Sequence, residues 1–205
     1  MAFNPKRMRI QSASSLEVRG LDAYFSPHEA VWPLLDMEEN MPPYIWEPAA
    51  GAGMIVRCMK QRGFRTLASD IADYGVRDLD IQTNVNYLEA VIPKGVRGIV
   101  TNPPYKDAIR FIQKAMNEVP YHAWLLRTNF LEAETRYEFF KSNPPARVLI
   151  SSRRLPMMHR LGYDGPKSTS NTCFAWFIWD EDAKVKRQFD WFDWKRHYED
   201  LDLGY

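Results

Sequence analysis

Tyr44-Ile45-Trp46-Glu47-Pro48-Ala49-Ala50-Gly51-Ala52-Gly53 is a strand-like run that ends in a glycine-rich turn. After the turn, apolar residues recur at helical spacing up to Gly63, which predicts a helix that ends there. Glycines between a strand and a helix permit a tight turn and let a ligand approach the backbone closely. The free N–H groups at the start of the helix favour an anionic group. The stretch therefore predicts a strand, a ligand-binding turn and a helix.

Strand-like and helix-like segments alternate on both sides of this turn. The predicted strands are 44–47, 65–69, 85–88, 96–101, 123–126, 148–150 and 174–179. Further helices are predicted after Ser26-Pro27, after Asp107 and over 131–141. This alternation predicts an α/β fold with a mostly parallel, seven-stranded sheet and helices on both faces. No typical helix fits between residues 150 and 174, so the last strand is expected to run antiparallel.

Length and composition are those of one globular domain. The 205 residues are 45% hydrophobic and 26% charged, with a net charge of +1, so a full core is possible and a strongly basic nucleic-acid binder is not indicated. We expect a flexible basic arm over 1–20, one domain over 21–182 with a candidate recognition loop at 151–172, and an acidic, aromatic extension over 183–205. No apolar run resembles a membrane span or secretory signal, which favours a cytoplasmic location.

A second candidate site, Asn102-Pro103-Pro104-Tyr105, follows the predicted strand 96–101. Proline fixes its own φ and restricts the residue before it, so this tetrapeptide is rigid. The Asn102 amide oxygen and the Pro103 carbonyl offer two hydrogen-bond acceptors. Two acceptors aimed at an exocyclic amino group would stabilise the positive charge that develops during methyl transfer, while Tyr105 stacks on the base. A structural Pro-Pro turn is the alternative.

Acidic residues accompany the glycine turn. Asp70 lies at the tip of the next predicted strand, where an acid can bind ribose hydroxyls. Glu47 precedes the turn and suits a positively charged ligand such as S-adenosylmethionine (AdoMet). No Gly-Lys-Ser/Thr follows, which excludes a phosphate-binding P-loop, and Val56 replaces the third glycine of a dinucleotide fingerprint. Taken alone, the glycine pair is also compatible with a purely structural turn.

Together these motifs resemble the class I AdoMet-dependent methyltransferases, and within them the N6-adenine DNA methyltransferases. The family's acidic-Pro-x-x-Gly-x-Gly loop is matched by Glu47, Pro48, Gly51 and Gly53, its acid after strand two by Asp70, and its catalytic tetrapeptide by Asn102, Pro103, Pro104 and Tyr105. The resemblance implies the Rossmann-like fold of these enzymes and AdoMet as the cofactor.

The resemblance also implies further cofactor contacts. A segment of the family that closes over the methionine part of AdoMet is matched by Tyr24, Ser26 and Pro27, and neighbours of the two acidic tips, Ala49 and Ile71, are expected at the cofactor as well. The acid often found after strand three is replaced here by Asn86, next to Tyr87. Either Asp73 or Asn86 would then contact the adenine of AdoMet.

The implied substrate is double-stranded DNA with its adenine flipped into the pocket, read with short or relaxed sequence specificity. The candidate substrate contacts lie in the basic loop and are Arg153, Arg154, Arg160, Tyr163 and Lys167. A solvated surface loop explains these charges equally well. No separate recognition domain is visible, which is typical of compact phage or mobile-element enzymes. The C-terminal aromatic residues would form a dimer surface, contact DNA or pack on the domain, so both a monomer and a homodimer remain open.

Two other functions are compatible with the same residues. Methyltransferases that act on RNA bases or on a protein glutamine amide also use Asn-Pro-Pro-Tyr. The second alternative is a catalytically silent AdoMet-fold subunit that binds DNA, although the intact tetrapeptide argues against it. Methylation at C5 of cytosine needs a nucleophilic cysteine, and neither Cys58 nor Cys173 fits. The scattered histidines and cysteines predict no metal site.

Overall fold

Eight strands form one sheet in the computed structural model, which describes residues 26–157 and 172–195. The strands are β1 Tyr44–Glu47, β2 Arg65–Ser69, β3 Ile81–Gln82, β4 Gly98–Thr101, β5 Tyr121–Arg127, β6 Arg147–Ser151, β7 Phe174–Asp180 and β8 Gln188–Phe192. They are ordered β3-β2-β1-β4-β5-β7-β6-β8 across the sheet. The first five strands pair in parallel, whereas β7 runs antiparallel to both β5 and β6. The predicted Rossmann-like α/β sheet is confirmed.

Helices cover both faces of this sheet. Helices α1 (His28–Met37) and α2 (Met54–Gln61) pack on one face, and α3 (Ala108–Met116) and α4 (Tyr137–Ser142) pack on the other. Because both faces are covered, the central strands are buried along most of their length, as in β5, where every residue except Arg127 is buried. None of the described helices combines the length and the hydropathy needed to cross a bilayer.

The predicted strand over 85–88 is wrong. Its place at the sheet edge is taken by β3, which is only two residues long. Asn84 has a φ of 59°, a left-handed conformation that turns the chain away from the sheet. The Asn86 side-chain oxygen then accepts a hydrogen bond from the Leu88 N–H at 3.1 Å, which closes a local turn instead of a strand.

The predicted helix over 131–141 begins only at Tyr137. Two short 3₁₀ turns, Thr128–Leu131 and Glu134–Arg136, precede it, and the extended backbone of Ala133 separates them. The Arg136 guanidinium donates to the Phe130 carbonyl at 2.7 Å and so stabilises the irregular path. Tyr137 is 58% exposed at the start of this helix, whereas Phe140 packs edge-to-face on Phe130.

The eighth strand corrects the predicted count of seven. β8 comes from the segment that the sequence indicates as an acidic, aromatic extension, and it pairs in parallel with β6. The antiparallel strand is therefore β7, and the last strand of the described chain is parallel to its neighbour. Phe192 is buried at the end of β8, whereas Phe189 and Trp191 are exposed.

Candidate active site

The glycine turn and the Asn-Pro-Pro-Tyr segment lie side by side because β1 and β4 are adjacent parallel strands. Their carboxyl ends reach the same edge of the sheet, where ligands bind in open α/β folds. A small cavity at this edge is lined by Ser26, Ala49, Ala50, Gly51, Ala52, Met54, Ile55 and Asn102. The structure therefore brings together residues from three predicted motifs: the segment with Ser26, the glycine turn and the Asn-Pro-Pro-Tyr segment.

This cavity is narrow. Its volume is about 20 Å³, which is room for about one water molecule. A nucleoside-sized ligand therefore fits only if the residues that line the cavity move apart. Ser26, at the start of α1, and Asn102, after β4, lie on different elements from the glycine turn, so small shifts of these elements would widen the space.

The glycine turn uses backbone conformations that other residues rarely adopt. Gly51 has a φ of 53° and Gly53 a φ of 82°, and the Gly53 N–H donates to the Ala50 carbonyl at 2.7 Å. A methyl group on Gly53 would overlap the side chain of Leu79. Both glycines are therefore required by the shape of the turn itself.

Asp70 holds the turn to the end of β2. One of its carboxyl oxygens accepts from the Gly51 N–H at 2.8 Å and the other from the Ala72 N–H at 2.9 Å. Burial raises the pKa of Asp70, and these backbone N–H groups oppose that rise. Each oxygen still has capacity for a second hydrogen bond. Next to Asp70, the Ile71 side chain is 51% exposed and offers an apolar surface beside this acid.

Glu47 is fully buried at the end of β1. Its Oε1 accepts from the Ala49 N–H at 3.1 Å, and so helps to shape the turn. Burial raises the pKa of Glu47 to about 8, and the Asp70 carboxylate contributes to the rise, while the hydrogen bond from the Ala49 N–H lowers it. The site therefore holds a carboxyl group that is neutral at moderately acidic pH, and a cationic ligand nearby would favour its ionised form.

We expect Glu47→Gln to gain stability relative to the wild type as the pH rises. The wild-type carboxyl is neutral in both states below its unfolded pKa of 4.5, and its contribution to stability is lost as the pH rises through the folded pKa of about 8. Glutamine keeps an acceptor for the Ala49 N–H but cannot ionise. The difference in unfolding free energy should grow by up to about 1.4 kcal/mol per pH unit in this window.

Urea denaturation at several pH values between 5 and 9, about one unit apart, measures this difference. Glu39→Gln, on an exposed glutamate, is the matched control. An offset between wild type and Glu47→Gln that stays constant with pH, as expected for the control, would contradict the buried titration of Glu47.

Asn102, Pro103 and Pro104 form the rigid link between β4 and α3. Pro103 is buried, and no described residue donates a hydrogen bond to its carbonyl. The Pro104 carbonyl instead accepts from the Asp107 N–H at 3.0 Å, just before α3 begins. Asn102 is half-buried and lines the small cavity.

Tyr105 contacts two side chains that the sequence did not indicate as site residues. The Arg127 guanidinium carbon is 4.6 Å from the centre of the Tyr105 ring, and the Phe174 ring is 6.2 Å away at an angle of 42°. Arg127 ends β5, the strand next to β4, so the rule that strand ends meet at one edge would have pointed to it. These contacts orient the Tyr105 ring, which lies three residues after Asn102.

The residues predicted near the adenine of AdoMet lie in different surroundings: Tyr87 is in the core and Asp73 is on the surface. Tyr87 is 2% exposed and packs between Trp46 and Phe111, with ring distances of 5.4 and 4.6 Å. Its side chain belongs to the core, and its contact with the cofactor stays a prediction. Tyr87 is buried because the chain turns at Asn84, which directs 85–88 under α3. Asp73 is exposed and pairs with Arg77 at 3.0 Å.

The other predicted cofactor residues differ in accessibility. Pro27 and Pro48 are buried beside the turn, and the Pro27 carbonyl accepts from the Ala30 N–H at 3.0 Å in the first turn of α1. Tyr24 lies outside the described residues.

In the part of the chain that is described, no group of three or more His, Cys, Asp or Glu side chains could hold a metal ion.

The two described arginines of the predicted basic loop have partners. Arg153 donates to the Asp193 carboxylate at 2.6 Å, so an acid of the C-terminal segment offsets its charge. The Arg154 guanidinium contacts the Cys173 sulfur at 2.6 Å. The candidate loop and the acidic extension are therefore joined by an ion pair at Arg153. Arg160, Tyr163 and Lys167 lie outside the described residues.

No protein-family model and no curated protein matches this sequence. Solved structures, however, share its fold. A Listeria monocytogenes protein assigned as a class I AdoMet-dependent methyltransferase superposes with a TM-score of 0.57 at 13% identity, over 82% of this chain and 65% of that protein. A protein from Pyrococcus horikoshii assigned as an RNA methyltransferase has a TM-score of 0.56 at 14% identity, over 77% and 87% of the two chains.

The methyltransferase subunit of a Streptococcus thermophilus type I restriction-modification system is also similar, with a TM-score of 0.54 at 12% identity over 78% of this chain and 45% of the subunit. The chain thus spans about two thirds and about half of the Listeria and Streptococcus proteins. Likenesses at these identities show the fold alone. The described sheet and its helices have the Rossmann-like fold of AdoMet-dependent methyltransferases.

Proposed function

We propose that this protein transfers a methyl group from AdoMet to the N6 amino group of adenine in DNA. The observation that carries the proposal is the position of Asn102, which lines the same cavity as Gly51 of the glycine turn. A methyl donor held by that turn would lie beside the two acceptors of the Asn-Pro-Pro-Tyr segment. The position of the segment beside the turn therefore supports amino-group methylation.

The chain's own residues would bind and orient the target base. The Asn102 amide oxygen and the Pro103 carbonyl accept the two amino hydrogens, which favours a pyramidal nitrogen with an available lone pair. Tyr105 stacks on the base, and Arg127 and Phe174 hold the ring of Tyr105 in place. AdoMet supplies an activated methyl group on a good leaving group, so no covalent enzyme intermediate is needed. The surplus amino proton leaves to solvent.

The residues of the glycine turn and those around it fit AdoMet in chemical character. The backbone of Ala49, Gly51 and Gly53 would receive the methionine part, together with Ser26 and the segment before it. Asp70 would accept from the ribose hydroxyls, and the exposed Ile71 would pack on the adenine. Asn86 would contact its polar edge. Glu47 would supply negative charge to a cationic ligand from beneath the turn.

DNA is the favoured substrate class because the sequence motifs match the N6-adenine DNA methyltransferases most fully. The fold likeness to a restriction-modification subunit is compatible with this choice. The likeness to a protein assigned as an RNA methyltransferase keeps RNA adenine or guanine as the second candidate. The basic loop with Arg153, Arg154, Arg160, Tyr163 and Lys167 would contact the nucleic acid in either case, whereas a protein glutamine substrate would not need it.

The decisive experiment offers methyl-labelled AdoMet with unmethylated DNA, total RNA or a protein extract in separate reactions. Label recovered from DNA as N6-methyladenine supports the proposal, and digestion mapping then gives the sequence context. Label only in RNA or protein would overturn the substrate class. AdoMet binding measured in parallel by calorimetry separates a silent AdoMet-fold protein, which binds without transfer, from a chain that does not bind AdoMet at all.

A further inference from the structure

Glu47 has no exposed surface, although it lies at the candidate site. Side chains alternate along β1, so Glu47 is on the same sheet face as Ile45, the face that α1 and α2 cover. Its Oε1 accepts from the Ala49 N–H at 3.1 Å, and Ala49 lines the small cavity together with Asn102. The buried carboxyl is therefore bonded to the wall of the space where the methyl donor would bind.

Two buried oxygen atoms at this place have no hydrogen-bond partner among the described residues. They are Glu47 Oε2 and Thr101 Oγ1. Thr101 is fully buried at the end of β4, directly before Asn102, and it lowers the pKa of Glu47. A hydroxyl can accept from a neutral carboxyl and donate to an ionised one, so a rotation of the Thr101 hydroxyl would suit either form of Glu47. The pair fits a carboxyl group that changes its ionisation.

The charges around Glu47 disfavour its ionised form while the site is empty of cations. Asp70 holds the other side of the turn through the Gly51 N–H, and its carboxylate adds to the effect of burial on Glu47. The ionisable side chains of the covering helices are paired, exposed or neutral: Glu29 with His28 and Asp36 with Arg62 from α1, and Arg57 with Asp78, the exposed Lys60 and the buried thiol of Cys58 from α2. A compensating positive charge for Glu47 would thus come from a ligand.

We propose that Glu47 distinguishes AdoMet from its demethylated product by a change of ionisation. The carboxyl is neutral before the cofactor binds, and it loses a proton to solvent when the cationic cofactor enters. After methyl transfer the cofactor is the neutral thioether S-adenosylhomocysteine, and Glu47 takes a proton from solvent again. The two proton movements cancel over one turnover. The inference rests on the proposed function for the identity of the cofactor and the product.

The extra positive charge of AdoMet is the feature that this carboxyl can recognise. AdoMet and S-adenosylhomocysteine differ by one methyl group and one charge, and a buried carboxyl senses that charge with little screening by salt. An ionised Glu47 therefore favours AdoMet over the product, which would help the product to leave. Because Glu47 acts from beneath the turn, it is a positioning residue.

A purely structural role for Glu47 is the alternative. The hydrogen bond to the Ala49 N–H needs only an acceptor, which a glutamine would also supply. That role gives no reason for an ionisable group without exposed surface next to Asp70. The two roles differ in a measurable quantity, because only a change of ionisation links cofactor binding to pH.

Calorimetric titration of the full chain with AdoMet, in buffers of different ionisation enthalpy at about pH 7, measures the protons released on binding. We expect the wild type to release about one proton more than Glu47→Gln, since titration of AdoMet itself is common to both. Relative to the variant, the wild-type affinity should rise by up to about tenfold per pH unit and level off above about pH 8. Glu39→Gln, on an exposed glutamate, is the matched control and should behave as the wild type.

The same titrations with S-adenosylhomocysteine test the discrimination. The preference of the wild type for AdoMet over the product should grow by about tenfold or more between about pH 6 and about pH 8. In Glu47→Gln this preference should stay constant with pH. Circular dichroism confirms that each variant is folded, and the proton count of the wild type does not depend on any variant.

Two results would overturn the inference. The first is a wild type that releases no proton, or no more than Glu47→Gln does. The second is a preference for AdoMet over the product that does not change with pH in the wild type. A chain that does not bind AdoMet would remove both this inference and the proposed function. Binding with the expected proton release but without methyl transfer would support the inference and overturn only the proposed activity.

Discussion

Asn102→Ala is expected to lower methyl transfer by about 10²- to 10³-fold while AdoMet still binds. The substitution removes one of the two acceptors that stabilise the positive charge on the attacked nitrogen. It leaves the backbone of the Pro103-Pro104 link, which sets the position of the second acceptor and of Tyr105, in place. Because the lost interaction strengthens in the transition state, the loss should appear in kcat more than in KM.

Asn102→Asp is the informative companion variant. Aspartate keeps an acceptor at the same distance from the backbone, so it should retain far more activity than alanine. Single-turnover transfer of labelled methyl, with AdoMet affinity measured by calorimetry, separates chemistry from binding. Equal activity of Asn102→Ala and wild type would remove the Asn-Pro-Pro-Tyr segment from the reaction and would favour a role in structure alone.

The positions of most central strands could be predicted from the sequence because their signals are local. The strands 44–47 and 65–69 each carry two adjacent apolar residues, Ile45-Trp46 and Leu67-Ala68, next to a predicted turn or helix. β8 was missed because it is a sheet edge. Gln188 and Asp190 interrupt its aromatic residues, and an exposed edge strand with such alternation resembles a solvated tail.

Some residues of the candidate site could be predicted from the sequence and others could not. Residues at strand tips, such as Gly51, Asp70 and Asn102, could be placed because parallel topology brings their ends together. The burial of Tyr87 could not be predicted because it depends on the left-handed turn at Asn84. The partners of Arg153 and Tyr105 are distant in sequence, and only the folded chain brings Asp193 and Arg127 to them.

A buried charge cluster lies on the edge of the sheet opposite the candidate site. Arg147, at the start of β6, donates to both carboxyl oxygens of Glu38 at 2.7 Å and to Asp180 at 2.9 Å. The Tyr121 hydroxyl donates to the same Glu38 carboxylate at 3.1 Å. The Glu38 side chain is only 3% exposed, so it depends on Arg147 for compensation of its charge.

Arg147→Ala is expected to lower the free energy of unfolding by about 3–5 kcal/mol, because it leaves the buried Glu38 and the nearby Asp180 without their shared cation. Arg110→Ala is the matched control: its partner Asp107 lies 3.2 Å away, but the arginine is 64% exposed, so the change should cost no more than about 1 kcal/mol. Urea denaturation of both variants measures the difference. A loss for Arg147→Ala no larger than that for Arg110→Ala would mean that water or a repositioned side chain compensates Glu38. Since the cluster is remote from the glycine turn, the folded fraction of Arg147→Ala should bind AdoMet with wild-type affinity.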